Sequence, residues 1–188
     1  MAKAGQRIRR TASTPGLRPA RGFTLIELLI TIAIAAILAA MAAPSFNSAF
    51  LSNKLTGFAN NFVASAQLAR SEAIKRNAVV RVCRSADGAT CATTGTWQQG
   101  WVVFHDANND GAVSAGETVI QIQQSLSSGY YFSGDSYSVP FQGTGGTAAL
   151  VTLTLCRAAP SAGNQERTIK VSPTGRTSVE TTRTGVCS

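Results

Sequence analysis

Apolar residues follow three successive patterns along this chain. From Phe23 to Ala43 they are nearly unbroken, FTLIELLITIAIAAILAAMAA, and Glu27 is the single charge in 21 residues. As a helix this run is about 31 Å long, close to a bilayer core of roughly 30 Å. Past Pro44 the apolar positions thin to Phe46, Phe50, Leu55, Phe58, Phe62, Ala66, Ala69 and Ala73, mostly three or four apart. That spacing predicts an amphipathic helix ending near Asn77, with its apolar stripe packed on the protein's own sheet. From Ala78 onward short β-rich runs alternate with turn residues. Strands are predicted at Val79–Cys83, Gly100–Phe104, Thr118–Gln123, Tyr130–Phe132, Leu150–Cys156, Thr168–Val171 and Thr177–Glu180.

These elements give an α+β architecture: a long N-terminal helix packed on a C-terminal antiparallel β-sheet or sandwich. Four segments result, namely 1–22, a basic leader; 23–43, the apolar helix; 44–77, its amphipathic continuation; and 78–188, a β-rich globular domain. The net charge of +8 changes meaning once it is located. Six of the seventeen basic residues precede Gly22 and no acidic residue does, whereas eleven basic face nine acidic residues after it. Without the leader the balance is only +2, so the whole-chain charge is a poor guide to nucleic-acid partners.

Three readings compete for the N-terminal segment. In a secretory signal peptide, Ala40-Met41-Ala42 is the cleavage site, but the run exceeds the usual 7–15 apolar residues. An uncleaved anchor explains the length but leaves Glu27 in hydrocarbon, at up to ~3 kcal/mol near a helix centre. The residues Gly22-Phe23-Thr24-Leu25-Ile26-Glu27 resemble the processing site of type IV pilins and type II secretion pseudopilins. The resemblance implies that a prepilin peptidase cuts between Gly22 and Phe23 and that the new terminal amine is methylated. It implies that Glu27 pairs with the terminal amine of a neighbouring pilin during assembly. A buried carboxylate is tolerable only when paired, which suits that role. Pro44 stands where such helices commonly kink. The leader is longer than in many pilins. The implied partners are the peptidase, other pilins or pseudopilins and an inner-membrane assembly platform. The implied location is the inner membrane, single-pass, with residues 78–188 in the periplasm.

Cysteines lie at 83, 91, 156 and 187, a spacing that fits neither a zinc site nor a CxxC redox pair. An even number in an oxidising compartment favours two disulfides, with three connectivities open. The pairing favoured is Cys83–Cys91, closing RSADGAT, with Cys156–Cys187 pinning the chain's end to a strand. The stretch from Arg81 through Trp97-Gln98-Gln99-Gly100-Trp101 to His105-Asp106, with Ile169–Arg176, resembles the GspH/FimT branch of minor pseudopilins and minor pilins.

Two further sites carry candidate chemistry. Asp106, Asn108, Asp110, Gly111 and Glu117 fit the D-x-N-x-D-G-x5-E calcium template, though flanked by strands rather than helices; an Asx-built turn is the simpler reading. The C-terminal tail, with Gly175, Arg176 and Arg183, resembles the Gly-Arg-x-Arg motif of DNA-receptor FimT proteins, but Ser178 replaces the second arginine. Arg157, Arg167 and Lys170 are further cations for such a surface, and affinity follows the number of phosphate contacts. The sole histidine, His105, has no nucleophile motif beside it, and neither a P-loop nor a dinucleotide fingerprint occurs. The expectation is a structural subunit with no cofactor, not an enzyme.

Overall fold

The structure is a computed structural model describing residues 22–158, 166–182 and 187, with side chains at all of these except 42–45, 48 and 182. Helix α1 runs over Leu25–Arg76, and eight strands follow among the described residues. They are β1 (Val80–Arg84), β2 (Trp101–His105), β3 (Val119–Gln123), β4 (Tyr130–Gly134), β5 (Ser138–Phe141), β6 (Val151–Arg157), β7 (Glu166–Val171) and β8 (Thr177–Thr182). The chain divides into two compact units, Met1–Met41 and Ala42–Ser188.

In the first unit the described residues from Leu25 are helical and their large apolar side chains, Leu25 to Met41, are exposed. Among the described residues no helix is long and apolar enough to cross a membrane.

In the second unit α1 and two four-stranded antiparallel sheets enclose one core. The sheets have strand orders β3-β2-β1-β5 and β4-β6-β7-β8. The helix buries Leu51, Leu55, Ala59, Phe62, Ala66, Ala69 and Ala73, a row at the three-to-four spacing of one helical face. The expected stripe is wrong at its start: Phe46 and Phe50 are 74% and 57% exposed, and Leu51 and Ala59 join the buried row instead. Phe50 is one residue, about 100° of helix, away from Leu51, and it is Leu51 that points into the core there.

At the centre Phe62 meets Trp97, Trp101 and Phe132 edge-on, with ring centroids 5.3, 5.4 and 5.5 Å away. This edge-to-face geometry sets the positive rims of some rings against the negative faces of others. Both indoles find acceptors: Trp101 Nε1 donates to Ser65 Oγ on the helix, and Trp97 Nε1 to the Ser136 carbonyl. Helix and both sheets are thus joined at one aromatic cluster.

The helix stops where the sequence predicts. Asn77 takes φ +49, Ala78 N–H donates to Ala73 O, and Asn77 N–H donates to Ile74 O. These are the paired bonds of a Schellman cap. That cap delays β1 by one residue relative to the expected start at Val79. Gly100, expected in a strand, is a turn residue instead: its φ is +108, and a Cβ there would stand 2.5 Å from the Gln123 carbonyl oxygen. Strand β5 was not expected. Pro140 sits inside it and pairs across to Arg81, which is allowed because β5 is an edge strand.

Candidate functional site

The segment expected to be processed begins at Gly22 and Phe23, both exposed ahead of α1. Thr24 caps the helix. Its Oγ1 accepts from Glu27 N–H at 3.3 Å, and its own N–H donates to Glu27 Oε2 at 3.4 Å. This reciprocal pair is a capping box, satisfying two amides that the first helical turn leaves without partners. Glu27 therefore has a partner within its own chain. The T-x-x-E spacing was visible in the sequence but was not read as a cap.

The acidic loop between β2 and β3 is held by internal bonds. Asp106 is fully buried, and Arg81 Nε stands 2.7 Å from its Oδ2. The same guanidinium donates to Asn109 Oδ1 and Ser138 Oγ. Asp106 also accepts from Asp110 and Gly111 N–H, Glu117 from Ala107 and Ser114 N–H, and Asp110 from Ala112 N–H. Asn108 donates to Asp110. Each side-chain oxygen that the calcium template would turn toward a cation already has a donor: a backbone amide or Arg81, or, for Asp110 Oδ2, the Asn108 amide and the Ser114 hydroxyl. Among the described residues no group of three or more His, Cys, Asp or Glu converges on a metal position. The bonds to Ala112, Asn108 and Ser114, together with the charge of Arg81, hold the Asp110 carboxyl below its ordinary range.

Disulfides link Cys83 to Cys91 and Cys156 to Cys187. The first closes a loop organised by Asp87, which accepts from Thr90 Oγ1 and from the amides of Ala89 and Thr90. Ser85 Oγ donates to it as well, and these four bonds depress its pKa strongly. Arg84 braces the following loop by donating to the Thr93 and Gly95 carbonyls, and its partial burial lowers its pKa. Cys83, Val102 and Phe104, with Cys91, Val113 and Val119 against them, make a small second core on the outer face of the first sheet.

Among the described residues, the cations suggested for nucleic acid are engaged in different ways. Arg176 is exposed and stands in the tight turn between β7 and β8. Its N–H donates to Ser172 Oγ, and its carbonyl accepts from Ser172 N–H. Gly175 before it has φ +74, and a Cβ there would collide with the carbonyl oxygen of Gly145. Arg167 is buried and donates to Ser52 and Thr56 on α1. Lys170 is ion-paired to Glu180 at 2.8 Å, and Arg157 lies over the Tyr130 ring. Arg183 lies outside the described residues.

His105 is half-buried at the end of β2. An open cavity of about 390 Å³ is lined by Asp135, Ser136, Ser138, Pro140 and residues 147–151. Asp135 is occupied there in accepting from Thr152 N–H, and the lining holds no histidine, cysteine or cation.

Comparison with known proteins places these features. The family model described as type II transport protein GspH matches residues 59–175. The model described as the prokaryotic N-terminal methylation motif matches residues 17–43. No curated protein matches the sequence. Among solved structures, the type IV minor pilin FimU of Pseudomonas aeruginosa (strain PAO1) superposes with a TM-score of 0.54 at 18% identity, covering 68% of this chain and 89% of that one. The minor pseudopilin EpsH from the type 2 secretion system of Vibrio cholerae gives 0.49 at 12% identity, covering 68% and 96%.

Proposed function

We propose a function from one premise: the chain belongs to the family of the type II transport protein GspH. Its fold is the pilin-like α+β arrangement, and the family consists of minor pilins and pseudopilins of type IV pili or type II secretion. These are structural subunits. In this reading prepilin peptidase cuts between Gly22 and Phe23 and the Phe23 amine is methylated. Segment 23–43 is held in the inner membrane until assembly, while 44–77 continues the helix into a periplasmic domain, 78–188. An inner-membrane platform then packs segment 23–43 against the same segment of other pilins or pseudopilins, with Glu27 paired to a neighbour's terminal amine.

The observation that carries the proposal is Gly22-Phe23-Thr24-Leu25-Ile26-Glu27 opening an apolar run, within the residues matched by the methylation motif. The exposed apolar side chains of Leu25 to Met41 support it, because such a surface needs lipid or other helices around it. The test is the intact mass of the protein purified from membranes. A chain beginning at Phe23 with one added methyl group is expected; cleavage after Ala42, or an intact leader, overturns the proposal.

The alternative, a subunit that takes up DNA through Arg176 and Arg183, has weaker support. Lys170 is neutralised by Glu180, and Arg167 is turned to the helix. Retardation of duplex DNA by the purified mature protein at moderate salt would revive it.

A further inference from the structure

The first turns of the second unit carry an aromatic pair that its core does not use. Phe46 and Phe50 are one helical turn apart and largely exposed. Lys54, one turn further on, places Nζ 4.9 Å from the centre of the Phe50 ring. Asn47 and Asn53 beside them are exposed, and no acidic residue occurs between Glu27 and Glu72. We propose that Phe46, Phe50 and Lys54 form an interfacial anchor that seats the helix in the headgroup layer of an anionic membrane leaflet.

The proposal rests on segment 23–43 being inserted in the membrane and concerns where that insertion ends. Headgroups occupy about 5–7 Å on each side of the hydrocarbon, and a helix advances about 1.5 Å per residue. A helix leaving the hydrocarbon at Ala43 therefore places Phe46 about 4.5 Å beyond it, within this layer, and Phe50 about 10 Å beyond it, just past the layer's outer margin. Helical side chains tilt toward the N-terminus, so both rings reach back toward the lipid. Lys54 bends the same way, its ammonium lying over a ring one turn earlier. Aromatic rings beside a long cationic stem, with amides between them, are the chemistry of a lipid–water boundary.

A second copy of the chain fits this face less well. Dry helix–helix contacts exclude lysine, and interface cores are depleted in it. An ammonium over the Phe50 ring has no acidic neighbour along this stretch to neutralise it there. Anionic lipid phosphate supplies that neutralisation.

The experiment places single tryptophans in the mature full-length chain at positions 34, 46, 50 and 60 by Ile34→Trp, Phe46→Trp, Phe50→Trp and Asn60→Trp. Each is reconstituted in phosphatidylglycerol–phosphatidylcholine vesicles with bromine near the carbonyl end of the acyl chains. Trp97 and Trp101 are buried in the core, and their emission is subtracted using the unaltered chain. The expected result is blue-shifted, bromine-quenched emission at 46 and 50 and water-like, unquenched emission at 60. Adding Lys54→Glu is expected to shift the emission at 50 back toward water. The anchor is overturned if 50 behaves like 60 while 34 is quenched. Loss of quenching at 34 as well overturns the insertion reading itself. A blue shift at 46 and 50 that appears only at high protein-to-lipid ratio identifies a second copy as the occupant and also overturns the anchor.

Discussion

The guanidinium Nε of Arg81 lies 2.7 Å from the fully buried Oδ2 of Asp106 and fills, in charge, the centre of a loop whose sequence reads as a calcium site. Strand β1 supplies the cation and the end of β2 is followed by the carboxylate, so sheet pairing itself brings the two together. Removing one member of a buried pair strands the other in low dielectric. Arg81→Met is therefore expected to destabilise the protein by about 3–5 kcal/mol, and Asp106→Asn by less because its amide retains one carbonyl acceptor for the local N–H groups. Urea unfolding of the mature chain in detergent measures both. Calcium is expected to leave the Tm of the unaltered protein unchanged, because its would-be ligands are already bonded.

Gly175 and Gly116 separate two costs of replacing a glycine. Both have positive φ, +74 and +90, but only Gly175 has a neighbour, Gly145 O, in the way of a Cβ. Gly116→Ala is expected to cost about 1 kcal/mol from backbone conformation alone. Gly175→Ala adds a steric collision that the β7–β8 turn and Arg70, bonded to Gly145 O at 3.0 Å, must absorb. Its loss of stability is expected to be clearly larger, by thermal denaturation side by side. Equal losses would mean that the turn relaxes freely.

How much of this was legible beforehand differs from element to element. The end of α1 was readable because Asn77 is a local signal, a residue that tolerates the left-handed conformation and stands two residues before Val79 and Val80. Strand β5 was not, because Pro140 argues against a strand unless its edge position is known, and edge position is a property of the sheet. The buried row of α1 was misplaced at Phe46 and Phe50 because periodicity finds a face without saying how far the sheets extend along it. For the candidate sites, T-x-x-E was in plain view at Thr24, whereas the pairing of Arg81 with Asp106 depends on two strands meeting in register.

Acid sensitivity follows from carboxylates whose pKa is lowered in the fold. Asp87 is the strongest case, through Thr90 Oγ1, two backbone amides and Ser85. A depressed folded-state pKa means that the unfolded chain binds protons first as pH falls. The contribution of Asp87 is thus fully present above the ordinary carboxylate pKa of about 4 and is lost progressively below it. Asp87→Asn is expected to lower the Tm at neutral pH, with the gap to the unaltered protein narrowing as pH falls through and below that value. A gap that is constant with pH would assign the effect to shape rather than charge.

Glu27 is the residue for which the structure changed the question. An acidic group five residues into an apolar helix was taken to make sense only with a neighbouring subunit, yet the capping box with Thr24 gives it local work. The two roles separate by substitution. If Glu27 serves only the cap, Glu27→Gln keeps an oxygen for the Thr24 N–H and should leave filament incorporation unchanged, whereas Thr24→Ala loses a capping interaction worth about 1 kcal/mol and should be the variant that is impaired. If Glu27 pairs with another subunit's terminal amine, only the loss of its charge matters to assembly. The expected outcome is that Glu27→Gln is cleaved after Gly22 but excluded from filaments, while Thr24→Ala is cleaved and incorporated. Comparing intact mass with the filament fraction for the two variants checks this. Incorporation of Glu27→Gln alongside exclusion of Thr24→Ala would return Glu27 to a capping role alone.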